Sequence, residues 1–158
     1  MDAYLPIKLI HILSATLLFG TGLGTAFYMW RAHGSGDVRA IATVARNVVM
    51  ADWLFTTPAV IVQPISGVWL ASLRGYALSE PWIVASLVLY AVAGACWVPV
   101  VWLQMRMRAL AEAALRTSGR LDSRYHRCMR WWFVLGWPAF AAVLIIYGLM
   151  VFKHLPGW

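Results

Sequence analysis

Four stretches of the chain, residues 4–30, 53–73, 81–104 and 131–152, are apolar over lengths that constrain the fold more than any other feature. Each reaches the ~20 residues that an α-helix needs to cross a ~30 Å hydrocarbon core. The expected fold is all-α: an integral membrane four-helix bundle, in a single domain over residues 1–158, with no repeat or second domain. Composition agrees, with 62% hydrophobic and 12% charged residues, where a soluble domain has roughly half and a quarter. Tyr4, Trp30, Trp53, Tyr76, Trp82, Trp131 and Trp132 flank the apolar blocks, where interfacial aromatic belts are expected.

The first block reads as a retained helix and not a cleaved leader. Asp2 and a single lysine precede its core, and it ends in Tyr28, Met29, Trp30 and Arg31 rather than at small residues. Charge then sets the orientation. The connector 31–52 carries Arg31, Arg39 and Arg46, and the connector 105–130 holds seven arginines against Glu112 and Asp122. The positive-inside rule puts both connectors in the cytoplasm and both termini outside. The net charge of +7 is thereby accounted for by orientation and anionic headgroups, and nucleic acid is not an expected partner. Cys96 and Cys128 are too few and too widely spaced for a disulfide framework or a CxxC site.

The helices are expected to run past the membrane. Asp37 is a good N-cap for an amphipathic segment leading into the second span. The third span continues in good helix formers to a stop at Gly119, and Asp122 and Ser123 can cap the last helix. Within the second span, Pro58 and Pro64 each remove a backbone donor. Thr56, Thr57, Gln63 and Ser66 can satisfy the carbonyls so freed, or Gln63 and Ser66 can line a polar cavity. Pro99 bends the third span, and Gln104 falls near its cytoplasmic edge with Arg31, Asp52, Arg106 and Arg130. Asp52 is the one acid of that cluster. It reads as half of a structural ion pair, or as part of an anion or quinone-head site.

His11 is the only histidine well inside an apolar span. At 100° per residue it shares a face with Ala15, Leu18, Gly22 and Met29, while Thr16, Gly20 and Gly24 lie opposite. One face therefore offers an imidazole and the other a small-xxx-small seam for close helix contact, within the bundle or in a homo-oligomer. An imidazole in a bilayer marks a functional site by default and suits iron, copper or zinc. It can equally hydrogen-bond a carbonyl or a serine.

KLIHI at 8–12, followed by a glycine-containing span and His33, resembles the opening of a group of small bacterial membrane proteins. The group includes the HemJ-type protoporphyrinogen oxidases, the membrane domain of CopD copper-resistance proteins, and an uncharacterised integral membrane family. LLFGTGLGTAF at 17–27, TTPAVIVQPISGVWL at 56–70 and CWVPVVWLQMRMR at 96–108 look like that last family, across nearly the whole chain. The likeness to the other two covers mainly the first helix and the pattern from Pro58 to Gly67–Leu70. HemJ-type proteins draw on basic residues of the third helix, and residues 81–104 contain neither His nor Lys.

The resemblance implies a bundle in the bacterial inner membrane and haem b with His11 as an axial ligand. Depth ranks His154 first as its partner, with five-coordinate haem or a Met150 ligand second and Gly22 on the His11 face; His33 and His126 fall across the membrane. Two functions follow from different classes. One is a haem-binding redox protein serving a quinone or another redox partner. The other is a non-catalytic accessory or assembly subunit making contacts through Gly20 and Gly24, with copper or small-solute transport a third. The arginine pattern predicts that a reporter active only in the cytoplasm stays silent when fused after residue 158 and is active when fused within 105–130. The opposite pattern would reverse the orientation.

Overall fold

A bilayer core offers no water to unpaired backbone groups, so long apolar blocks have to bond internally. The computed structural model describes residues 3–117 and 119–153, and nearly all of these are helical. In chain order they form α1 (Tyr4–Ser35), α2 (Val38–Ala51), a π-helical turn (Asp52–Thr56), α3 (Thr57–Leu73), α4 (Pro81–Arg116) and α5 (Ser123–Phe152). Four units are long and apolar enough to cross a membrane: α1, the stretch Val38–Leu73, α4 and α5. The connectors 31–52 and 105–130 are therefore mainly helix, extending the spans.

The ends of these helices follow local chemistry. Gly36, at φ 70°, closes α1 with its N–H on the His33 carbonyl, a left-handed conformation that glycine adopts without a Cβ penalty. Asp37 then caps α2 by accepting from the Arg39 N–H at 2.9 Å. Asp122 caps α5 in the same way, from the Arg124 N–H at 2.7 Å. The Arg124 guanidinium also donates to that carboxyl, and these bonds hold Asp122 down at about 2. The cap keeps its charge through the physiological range.

Proline shapes the second span. Pro58 has no N–H, and its ring crowds the carbonyl four residues back. The helix widens just before it, where both the N–H and the hydroxyl of Thr57 bond the Asp52 carbonyl. Pro64 leaves the Val60 carbonyl without its helical donor, and the Tyr90 hydroxyl of α4 donates to it at 2.5 Å. The residues expected to serve these carbonyls bond elsewhere: Thr56 to the Asp52 carboxyl, Thr57 to the Asp52 carbonyl, Ser66 to the Val62 and Gln63 carbonyls, and Gln63 to His11.

α4 packs most extensively with α5, then α1 with α3 and α2 with α4. The backbones of α1 and α5 stand further apart, and long side chains bridge the interval. Tyr147 donates to the Ala15 carbonyl at 2.8 Å, and Phe19 meets the rings of Phe140 and Tyr147 at 5.8 and 5.6 Å. The tight core sits at the arginine-rich end. Met29, Ile41, Met107 and Tyr125 are completely buried there, among Ala45, Leu103, Ala111, Met129 and Trp132. Of the two cysteines, Cys128 belongs to this core and Cys96 is half-buried; both are free thiols.

The two faces of α1 come out as the 100° periodicity predicts. His11 and Met29 turn inward, and a Cβ on Gly22 would stand 3.5 Å from the Phe140 ring. A Cβ on Gly20 or Gly24 would meet nothing within 4 Å. The seam therefore faces away from the bundle. Its proposed part in packing α1 against the other helices is overturned.

Candidate functional site

His11, near the N-terminal end of α1, and the polar residues of α3 form one site. Helical spacing puts Ser14 one turn below His11 on the same face, and Gln63 and Ser66 one turn apart on α3. His11 Nδ1 and Ser66 Oγ are 2.8 Å apart. His11 Nε2 lies 3.2 Å from the Gln63 Nε2 amide nitrogen. Ser14 Oγ reaches the other end of that amide, Gln63 Oε1, and lies 3.0 Å from the His11 carbonyl.

The inventory of protons fixes the direction of this chain. Ser66 has one hydroxyl hydrogen, and its Oγ lies 2.7 Å from the Val62 carbonyl, which can only accept. Ser66 is then the acceptor toward His11, and Nδ1 carries the imidazole proton. The Gln63 amide nitrogen can only donate, so Nε2 of His11 is the acceptor and holds a lone pair. The Ser14 hydroxyl has one hydrogen and faces two acceptors, the His11 carbonyl and Gln63 Oε1, between which it is shared. With Ser66 bonded to the Val62 carbonyl and the Gln63 amide nitrogen turned toward Nε2, this arrangement is that of a neutral imidazole with its proton on Nδ1.

Gly67 lets the ring come this close. A Cβ there would stand 3.2 Å from His11 Cε1, closer than nearly all real Cβ contacts. Ser14 and Ser66 are buried, whereas His11 and Gln63 are half-buried. Gln63, on the Nε2 side of the ring, is thus the more open of its two partners.

The structure brings His11 together with Gln63 and Ser66, which the sequence presented as separate features. Met150 is half-buried on α5. It follows Tyr147 by about one turn, and Tyr147 bonds Ala15, so Met150 lies at about the depth of His11. Gly22 receives Phe140. His154 lies outside the described residues. His33 stands with Tyr125 and His126, at ring distances of 5.7 and 5.6 Å, at the opposite end of the bundle from His11.

The edge cluster divides. Asp52 and Gln104 are both buried, 4% exposed. The Thr56 hydroxyl donates to Asp52 Oδ1 at 2.8 Å, and the Gln104 side chain also hydrogen-bonds that carboxyl. Arg31 and Arg130 are exposed, and the Arg106 guanidinium lies 5.4 Å over the Trp102 ring. Among the described residues the ion pairs join Arg108 and Arg116 to Glu112 and Arg124 to Asp122. The expected arginine partner of Asp52 is replaced by a hydroxyl and an amide on its own turn and on α4.

Two contributors, Ser14 and Thr56, had a readable signal, lying three and four residues after the group each serves. Tyr90 and Tyr147 had none, because their acceptors are carbonyls on other helices.

Four membrane-length helices around an intramembrane polar site define a multi-pass integral membrane protein. More narrowly, the chain belongs to the family described as "predicted integral membrane protein (DUF2269)", whose model matches residues 5–154. This is the uncharacterised family that the sequence resembles, and the match does not extend to HemJ- or CopD-type proteins. No curated protein and no solved structure matches the chain.

If the hydrogen bond between His11 and Ser66 joins α1 to α3, a double-mutant cycle on His11→Ala and Ser66→Ala will show coupling. Membrane cycles of this kind give roughly 0.6–1.7 kcal/mol, readable from unfolding in detergent. Strictly additive losses would mean that the bond contributes nothing.

Proposed function

We propose that the protein is a membrane redox protein carrying haem b, with His11 Nε2 as one axial ligand. The observation that supports this reading is the 2.8 Å contact between His11 Nδ1 and Ser66. Metal-ligating histidines almost always donate their other N–H to a fixed acceptor, which sets tautomer and ring orientation. Ser66 plays that part here and leaves the Nε2 lone pair toward the half-buried Gln63.

The donor set fits the group on one condition. The Gln63 amide covers Nε2 at 3.2 Å and has to turn aside. A long side chain on the half-buried face of α3 can do so while Ser14 continues to bond the His11 carbonyl. Met150 of α5, or His154 just beyond it in the sequence, would supply the second ligand. Haem supplies one-electron chemistry when bound, at a potential set by its ligands and their burial. Its partner would be a quinone or another membrane redox protein.

A second reading rests on the outward seam. Gly20 and Gly24 face away from the bundle with open space above each, which suits a helix of a second copy or of a larger assembly in which this chain is an accessory subunit.

The visible spectrum of protein purified after haem-replete expression separates the two. The redox reading predicts a Soret band at one haem per chain. His11→Ala should abolish it without unfolding the protein, His33→Ala and His126→Ala should retain it, and Gln63→Leu should not weaken it. Full haem occupancy in His11→Ala, or no haem in folded wild type, would refute the assignment.

A further inference from the structure

At the arginine-rich end, the seam where α2 packs on α4 carries an open surface groove of about 620 Å³ that the proposed function does not use. Arg46, Met50 and Trp53 line it from one side, and Met105, Arg108 and Glu112 from the other. The order of these residues along each helix is what identifies an occupant. Arg46, Met50 and Trp53 follow at i, i+4 and i+7, so the groove passes from charge to apolar surface over about 10 Å of helix. On antiparallel α4, reading backward, Glu112, Arg108 and Met105 repeat the same gradient. Both gradients run from the arginine-rich end toward the apolar spans.

The charges are unevenly used. Glu112 accepts from Arg108 Nε at 2.9 Å. Arg46 is exposed and has no hydrogen bond or ion pair among the described residues. Two guanidiniums against one carboxylate leave the head of the groove one positive charge in excess. Guanidinium is the side chain best suited to a phosphate oxygen pair. Below it, Met50, Trp53 and Met105 are exposed by 60, 58 and 41%, an apolar floor that a free anion would leave uncovered.

We propose that this groove binds one anionic phospholipid. Its phosphodiester lies between Arg46 and Arg108, and an acyl chain runs along Met50, Trp53 and Met105. The arginine excess assigns this end to the cytoplasmic face, so the lipid belongs to the inner leaflet. There, basic pockets between membrane helices meet anionic headgroups.

The test is lipid retention by full-length protein purified from vesicles of phosphatidylglycerol and phosphatidylcholine, read by native mass spectrometry. Wild type should retain phosphatidylglycerol in preference. Arg46→Gln should lower that preference about fivefold, and adding Arg108→Gln should lower it on the order of 25-fold. Arg39→Gln with Arg127→Gln removes the same charge from exposed sites off the groove and should leave the preference unchanged, with all variants melting like wild type. Millimolar inorganic phosphate should not displace the lipid. Wild-type preference in Arg46→Gln/Arg108→Gln, or an equal loss in the Arg39→Gln/Arg127→Gln control, would overturn the proposal. Displacement by phosphate would also overturn it, by showing a site for the anion alone.

Discussion

Lipid tails are as apolar as leucine, so burying a leucine between two membrane helices releases almost nothing. What can hold α1 to α3 in the half of the bundle away from the arginines is a polar contact that lipid cannot replace. His11, Ser14, Gln63 and Ser66 make that contact. Each would cost free energy if left unpaired in hydrocarbon, and each is satisfied by another. The same residues then decide the chemistry, because the bond that positions the imidazole also dictates which nitrogen keeps its lone pair. The hydrogen bond that joins the two helices is also the one on which the proposed function rests, and the proposed cofactor would displace only Gln63.

The arginine-rich half is held differently. α2 and the extensions of α4 and α5 run beyond the apolar blocks, where water restores a hydrophobic drive worth roughly 1.5–3 kcal/mol for a fully buried large side chain. Ile41, Met107 and Tyr125 are buried in that region, with Met29 beside them. The stable core thus lies at one end and the polar, more loosely bridged site at the other. Tyr90 and Tyr147 close the gap between helix pairs through backbone carbonyls. Proline contributes directly, since the Val60 carbonyl that Tyr90 bonds is the one Pro64 leaves without a donor.

Four spans, their helical extensions and their caps were readable because each depends on residues close in sequence. Asp37, Gly119 and Asp122 act within a turn of where they stand, and the 100° periodicity placed His11 and Met29 correctly on the inward face. The glycine seam was misassigned within the bundle because periodicity separates two faces without saying which meets protein. Asp52 drew an arginine partner on charge alone. The π-turn and the approach of α4 give it Thr56 and Gln104 instead, and neither feature has a sequence signature beyond Pro58. That His11 meets Ser66 and Gln63 depends on the register of α1 against α3, which involves pairs more than 50 residues apart.

The central claim is the protonation pattern that Ser66 imposes on His11. Nitrogen-15 NMR of histidine-labelled, cofactor-free protein in a bilayer mimic reads it directly, since the protonated and lone-pair nitrogens of a neutral imidazole resonate far apart. The account predicts a neutral His11 with its proton on Nδ1, and loss of that single tautomer in Ser66→Ala. A proton on Nε2 in wild type, or a spectrum that Ser66→Ala leaves unchanged, would contradict it.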